Sequence, residues 1–221
     1  MAMKDARMAK FTLTGITPLL MHADDVEAAS TLADWRKAPE NKNVSVPGDD
    51  RSPPWTWQTY LYRDAEGLVA MPADNVMVCL RQAGAKMILK GQKTFKEITQ
   101  SGLLIADETL DFTIGGKSIE VAQFVDARDD SFADQKKAAD KAGFDLLVKR
   151  AKVGNSKHVR VRPKFTGWEV SGLIQVLAPE ITFDHLKTLF ALAGDVGLCD
   201  WRPGCKTPGR FGMFESKVAK A

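Results

Sequence analysis

Two segments carry an apolar stripe at helical spacing, and strand-like sequence flanks each of them; this alternation constrains the fold more than any other feature. In the first, Val76, Leu80, Ala83 and Met87 fall at i, i+4, i+7 and i+11. A helix is expected from Asn75 to about Leu89, with Asp74 as its cap. In the second, FDHLKTLFALAG, the residues Phe183, Leu186, Phe190 and Ala193 repeat at i, i+3, i+7 and i+10. Thr182 is placed to cap it and Gly194 to end it. Before the first helix, Lys10 to Thr17 alternates Phe11, Leu13 and Gly15 with Thr12, Thr14 and Ile16, and Pro18 stops it. A short strand, Gly67 to Met71, leads into Pro72. Between the helices lie the apolar runs GLLIA, LDFTIGG and SIEVAQFV, then KHVRVRPKF, then Trp168 to Leu177. Arg210 to Glu215 forms a last strand.

The order strand, helix, strands, strand, helix, strand predicts an α+β chain with a ferredoxin-like, RRM-like sheet. Its helices would cover one face and leave the other open to RNA. At 221 residues the chain fits a single domain spanning 1–221. Residues 22–64 lack periodicity and hold Pro39, Pro47, Pro53, Pro54, Trp35, Trp55 and Trp57, so they read as an insertion after the first strand that grips a partner. Residues 126–156 read as a second projecting segment, of which 126–145 is polar with mixed charge. The hydrophobic share of 44% and charged share of 27% exclude a disordered or fibrous chain. No apolar run reaches the roughly 18 residues of a spanning helix, and MAMKDARMAK lacks the apolar middle of a signal peptide. The expectation is a protein of a bacterial host cytoplasm with no membrane partner. Cys79, Cys199 and Cys205 form an odd set without a CxxC pair, which predicts reduced, packed thiols and no metal site.

Charge is unevenly spread. Residues 1–140 hold 17 Lys and Arg against 21 Asp and Glu, a balance of −4, and residues 141–221 hold 14 against 7, a balance of +7. From Lys149 to Lys164 seven cations occur without an acid. In KHVRVRPKF the apolar Val159, Val161, Pro163 and Phe165 alternate with Arg160, Arg162 and Lys164, so a strand here shows a cationic face. A polyanion suits such a face, because each neutralised phosphate releases condensed counterions.

Three segments together resemble the RAMP superfamily, the backbone and processing subunits of CRISPR effector complexes. These are the opening LTGITPLLMH, the stretch MPADNVMVCLR from Met71 to Arg81, and the terminal GLCDWRPGCKTPGRFGMF. Pro72, Val76, Leu80 and Arg81 match the family's marked positions. Ala73, Asp74 and Asn75 stand where the family often has Gly, Ser, Ser, and Met77 and Val78 where it often has Lys and Gly. The sequence is also similar to short phage and prophage proteins that end in comparable GDWRP and GRF patterns, which implies a divergent phage or prophage member. The resemblance implies side-by-side assembly on a nucleic-acid strand. It also implies RNA cleavage by an acidic residue of an early loop, where Asp24 and Asp25 stand beside His22.

The candidate site follows. Lys157, His158, Arg160, Arg162 and Lys164 on the basic strand, with Arg81, Arg202, Lys206 and Arg210, form the expected RNA or single-stranded DNA groove. Trp201 is its expected stacking platform. The glycines around Lys206 and Arg210 either aim N–H groups at a phosphate or close a turn on Trp201 and Phe211. His185, in the second helix, reads as structural. The leading expectation is a non-catalytic RNA or single-stranded DNA binder that oligomerises or joins a nucleoprotein complex, without a cofactor. The alternatives are a metal-dependent RNA endonuclease, with magnesium on Asp24 or Asp25, and a phage counter-defence or complex-capping module acting through its tryptophan-rich insertion.

Overall fold

A computed structural model describes residues 7–41, 54–91, 93–125, 131–153 and 156–221. In chain order its principal elements are β1 (Arg7–Gly15), α1 (Val26–Lys37), β2 (Ala70–Pro72), α2 (Ala73–Gly84), α3 (Lys96–Gly102) and β3 (Thr109–Ile114). They continue with α4 (Phe132–Lys141), β4 (Asp145–Val153), β5 (Ser156–Phe165), β6 (Trp168–Val176), α5 (Phe183–Val196) and β7 (Phe214–Lys220). The chain divides into two compact units, one of Met1–Leu20, Arg63–Ile119 and Thr166–Ala221, the other of Met21–Tyr62 and Glu120–Phe165.

The first unit is α+β. Its six-stranded antiparallel sheet has the order β7-β1-β6-β3-β2, and the short pair Leu103–Leu104 also adds to β6. Period-two alternation decides which face is buried: Ala9, Phe11 and Leu13 of β1 and Val170, Ile174 and Val176 of β6 all lie inside. Phe190 of α5 meets Phe11 with ring centroids 5.1 Å apart. The Cys79 thiol of α2 donates to the carbonyls of Ala193 (3.3 Å) and Gly197 (3.2 Å), tying the two helices together.

Several expected boundaries move, each for a local reason. The first strand runs from Arg7 to Gly15 rather than Lys10 to Thr17, since β6 pairs with it from Arg7 onward. Helix α2 starts at Ala73 with Pro72 in the cap position, so Asp74 sits in the first turn near the helix dipole instead of capping. The helix stops at Gly84. Val76, Leu80 and Ala83 are buried as the stripe required, whereas the Met87 carbonyl accepts the Phe95 N–H (3.0 Å) at the base of a hairpin. Helix α5 has the expected Thr182 cap, whose hydroxyl accepts the His185 N–H (3.2 Å), but it continues to Val196. Gly194 serves a close approach: a Cβ there would stand 2.2 Å from the Phe214 carbonyl oxygen. The last strand is correspondingly Phe214–Lys220, not Arg210–Glu215.

The second unit is built from both segments expected to project. Trp57 meets Phe124 and Phe144 at 5.4 and 5.7 Å, Phe124 meets Phe144 at 5.5 Å, and Phe144 meets Phe165 at 4.8 Å. Gln135 of α4 is fully buried, and its Oε1 accepts from Trp57 Nε1 and Gln58 Nε2, both at 2.9 Å. Trp55 and Trp57 of the insertion thus belong to a core, whereas Trp35 is half-buried. Trp55 is 7% exposed and Trp57 0%, which removes both from any gripping surface.

Gly194→Ala is expected to destabilise the first unit by about 1–3 kcal/mol, because overpacking against backbone outweighs the gain in helix propensity. A fall in urea midpoint with an unchanged slope would show it.

Candidate nucleic-acid interface

The basic strand β5 pairs antiparallel with β4 from Asp145↔Lys164 to Val153↔Ser156, so it lies in the second unit and not in the main sheet. This corrects the expectation of a cationic strip on the open sheet face. The basic strand cannot pair with its neighbour in sequence, β6, which has β1 on one edge and β3 with Leu103–Leu104 on the other. On β4 and β5 the register puts Asp145, Leu147 and Lys149 on one face with Lys164, Arg162 and Arg160. Leu146 and Pro163, on the other face, are buried. Lys149 is the direct cross-strand partner of Arg160. Like charges opposed in this way are destabilising.

Asp145 is the sole acid of residues 145–165. Its Oδ2 accepts from Lys164 Nζ at 2.6 Å, and Lys136 Nζ lies 3.9 Å from Oδ1. Burial pushes its carboxyl up, but the bonds from Lys164 and from the Leu146 N–H, with the charges of Lys164 and Lys136, hold it below the usual carboxylate range. For Lys157 and His158 the backbone pairs with Lys152 and Ala151; their side chains lie outside the described residues.

Arg81, Trp201, Arg202, Lys206 and Arg210 belong to the first unit. Around Trp201 the chain folds tightly on itself. The N–H of Leu198 donates to Gly212 O (2.9 Å), that of Gly204 to Val196 O (2.9 Å), those of Cys205 and Gly209 to Arg202 O (3.1 and 3.2 Å), and that of Gly212 to Pro18 O (2.8 Å). These amides are spent within the unit. A Cβ on Gly209 would lie 1.9 Å from Trp201 O, and one on Gly212 2.1 Å from Leu198 O, so close packing requires both glycines. Trp201 is half-buried, with its ring 5.5 Å from that of Phe211. Arg202 Nη1 donates to Cys199 O (2.8 Å) and Nη2 to Gln82 Oε1 (3.3 Å), anchoring the loop to α2. The Arg210 guanidinium stands 5.8 Å over the Phe211 ring, and Lys206 is exposed.

Arg81 lines a cleft of about 510 Å³ with Gln82, Lys86, Lys96, Asp195 and Gly204. Lys86 and Lys96 were not among the sequence candidates. The signal that marks them is the run KMILKGQKTFK from Lys86 to Lys96, four lysines around two turns of apolar sequence with no acid.

The open face of the main sheet carries the opposite sign. A cavity of about 790 Å³ there is lined by Lys10 together with Asp64, Glu66, Asp107, Glu108, Asp111 and Glu169. Six carboxylates against one lysine make this face acidic, so it lacks the cationic strip expected of it.

Asp24 and Asp25 directly precede α1, and the Asp25 carbonyl accepts the Ala29 N–H at 2.9 Å, which makes them a helix start. The His22 ring stands edge-on to Tyr60 with centroids 4.4 Å apart. Among the described residues no group of three His, Cys, Asp or Glu is placed to hold a metal ion. His185 Nδ1 closes the capping box of α5, the structural role expected of it.

No protein-family profile matches the sequence, and no curated protein is significantly similar to it. Among the described residues no helix is long and apolar enough to cross a membrane.

Two predictions follow from the local environments. Burial pushes the Cys79 and Cys199 thiols up to about 12, whereas Cys205 is half-buried. A thiol reagent should label Cys205 alone in the folded protein and all three cysteines after denaturation. Asp145→Asn should lower stability by less than about 1 kcal/mol at neutral pH, the size of a solvent-screened ion pair. Asp145 titrates below its ordinary range in the fold, so its contribution is present above about pH 4 and lost as pH falls through the folded value. Thermal denaturation of both proteins across acid pH should show the two curves converge.

Proposed function

We propose that this protein is a non-catalytic RNA or single-stranded DNA binder whose β4–β5 hairpin lies against the phosphate backbone. The observation that carries the reading is the run of cations that the β4–β5 register places on one face, Lys149, Arg160, Arg162 and Lys164, in a stretch, residues 145–165, whose one acid is Asp145. A backbone phosphate bound along that face releases condensed counterions. The cations are arranged as a strip along two strands, which suits a linear polyanion better than a compact one.

The sheet order β7-β1-β6-β3 with α2 and α5 between its strands supports the ferredoxin-like reading of the first unit. The segment from Met71 to Arg81 that resembles the RAMP superfamily runs from β2 into α2, with Val76 and Leu80 buried and Arg81 at the cleft. These features favour a divergent RAMP-type protein, and a phage or prophage source is proposed from the terminal GDWRP-like and GRF patterns alone. Side-by-side assembly on a nucleic-acid strand is part of the same reading.

The test is fluorescence anisotropy with labelled single-stranded RNA and DNA on nuclease-treated protein across a salt series. Arg160→Ala with Arg162→Ala should weaken binding about tenfold or more and reduce the log–log salt slope by about 1.4, at roughly 0.7 per phosphate contact on a single strand. Arg→Lys at both positions should keep the slope. Binding that ignores salt, or a double Ala variant that binds as the parent does, would sink the proposal.

A further inference from the structure

The first unit carries a group of cations that the hairpin β4–β5 does not explain. Helix α2 ends at Gly84, and a short antiparallel hairpin follows, Ile88–Lys90 against Lys93–Thr94. The Phe95 N–H donates to Met87 O (3.0 Å) and closes its base. Lys86 and Lys96 flank that base and line the 510 Å³ cleft with Arg81. At the other end Lys90 and Lys93 are direct cross-strand partners. All four lysines are exposed. Among the described residues none of Arg81, Lys86, Lys90, Lys93 and Lys96 makes an ion pair, although Glu97 and Asp195 are close in sequence or line the cleft. The hairpin also holds out Ile88, 74% exposed, and Leu89, 37% exposed.

Five cations without a carboxylate partner, two of them opposed across a ladder, repel one another until an anion arrives. The helix dipole at the end of α2 accounts for Arg81 in its last turn. It does not account for Lys86, Lys90, Lys93 and Lys96, which lie beyond the helix. We infer that Arg81, Lys86, Lys90, Lys93 and Lys96 form a second single-stranded nucleic-acid contact surface, on the first unit, with the hairpin presenting Ile88 and Leu89 to unstacked bases. This rests on the nucleic-acid reading above and adds to it a second place of contact. A single strand is favoured over a lipid surface for two reasons. The cations run from a cleft to a hairpin tip, a track that a chain of phosphates can follow. The apolar part consists of two side chains, far less than the broad face with which an interfacial helix enters lipid.

The experiment uses the full chain, freed of nucleic acid by nuclease and high salt, in the same anisotropy assay. The triple variant Lys86→Ala, Lys90→Ala, Lys93→Ala alters exposed side chains only, and the corresponding Lys→Arg triple controls for charge. The Ala triple should bind about tenfold more weakly and lose about 2 from the salt slope, while the Arg triple binds as the parent does. Photo-crosslinking to thiouridine-substituted RNA should place adducts between Met87 and Lys96. If the Ala triple binds normally while Arg160→Ala with Arg162→Ala loses affinity, this inference fails and the hairpin β4–β5 reading stands. If neither variant differs from the parent, both fail. Retention on phosphatidylserine vesicles that the Ala triple abolishes, with RNA binding unaffected, would assign the patch to lipid and overturn it.

Discussion

The arrangement of the first unit depends on strand β6 having two edges and no more. β1 takes one along eight register positions, and β3 with Leu103–Leu104 takes the other. Once both ladders are made, the preceding basic strand cannot pair with β6. It satisfies its backbone against β4 instead and buries Phe165 with Phe144 and Trp57. Hydrogen-bond saturation of one central strand thus keeps the cationic hairpin off β6, and the main sheet's open face is set by its own side chains.

Those side chains make the face acidic. The alternation that puts Phe11 and Val170 inside puts Lys10 and Glu169 outside, and Asp64, Glu66, Asp107 and Glu108 add four carboxylates to the lining. Within the proposed reading this has a use. In that reading a polyanion is repelled from this face by six carboxylates and is drawn to surfaces of the opposite sign. Charge sign then decides which surfaces a strand can lie on, without any contact to a base.

Much of the first unit was legible because its elements are amphipathic with one period throughout. Val76, Leu80 and Ala83, and Leu186, Phe190 and Ala193, mark helices whose buried faces are those the spacing requires, with Phe183 half-buried at the start of the second; Thr182 caps as its chemistry suggests. Two kinds of feature were not legible. One was long-range partnering: nothing in KHVRVRPKF states whether its mate is β4 or β6, and nothing near Trp57 announces Gln135, 78 positions away. The other was the purpose of small residues. Gly194, Gly209 and Gly212 read as a helix end and a phosphate-binding loop, yet each is fixed by a backbone oxygen within 2.2 Å of where a Cβ would stand.

The same distinction separates the candidate cations. Arg202 was selected for its place in a glycine-rich loop, and its guanidinium is engaged by Cys199 O and Gln82 Oε1. Lys164 was selected for its strand, and it bridges Asp145. Sequence density of positive charge therefore overstates what is on offer to a ligand, since part of that charge organises the protein itself. The lysines from Lys86 to Lys96 were passed over because they straddle a helix end and a hairpin and show no alternation. They are nevertheless exposed and, among the described residues, without carboxylate partners. For a ligand bound by counterion release the charge that counts is the charge not already neutralised in the fold, and the exposed lysines from Lys86 to Lys96 are of that kind.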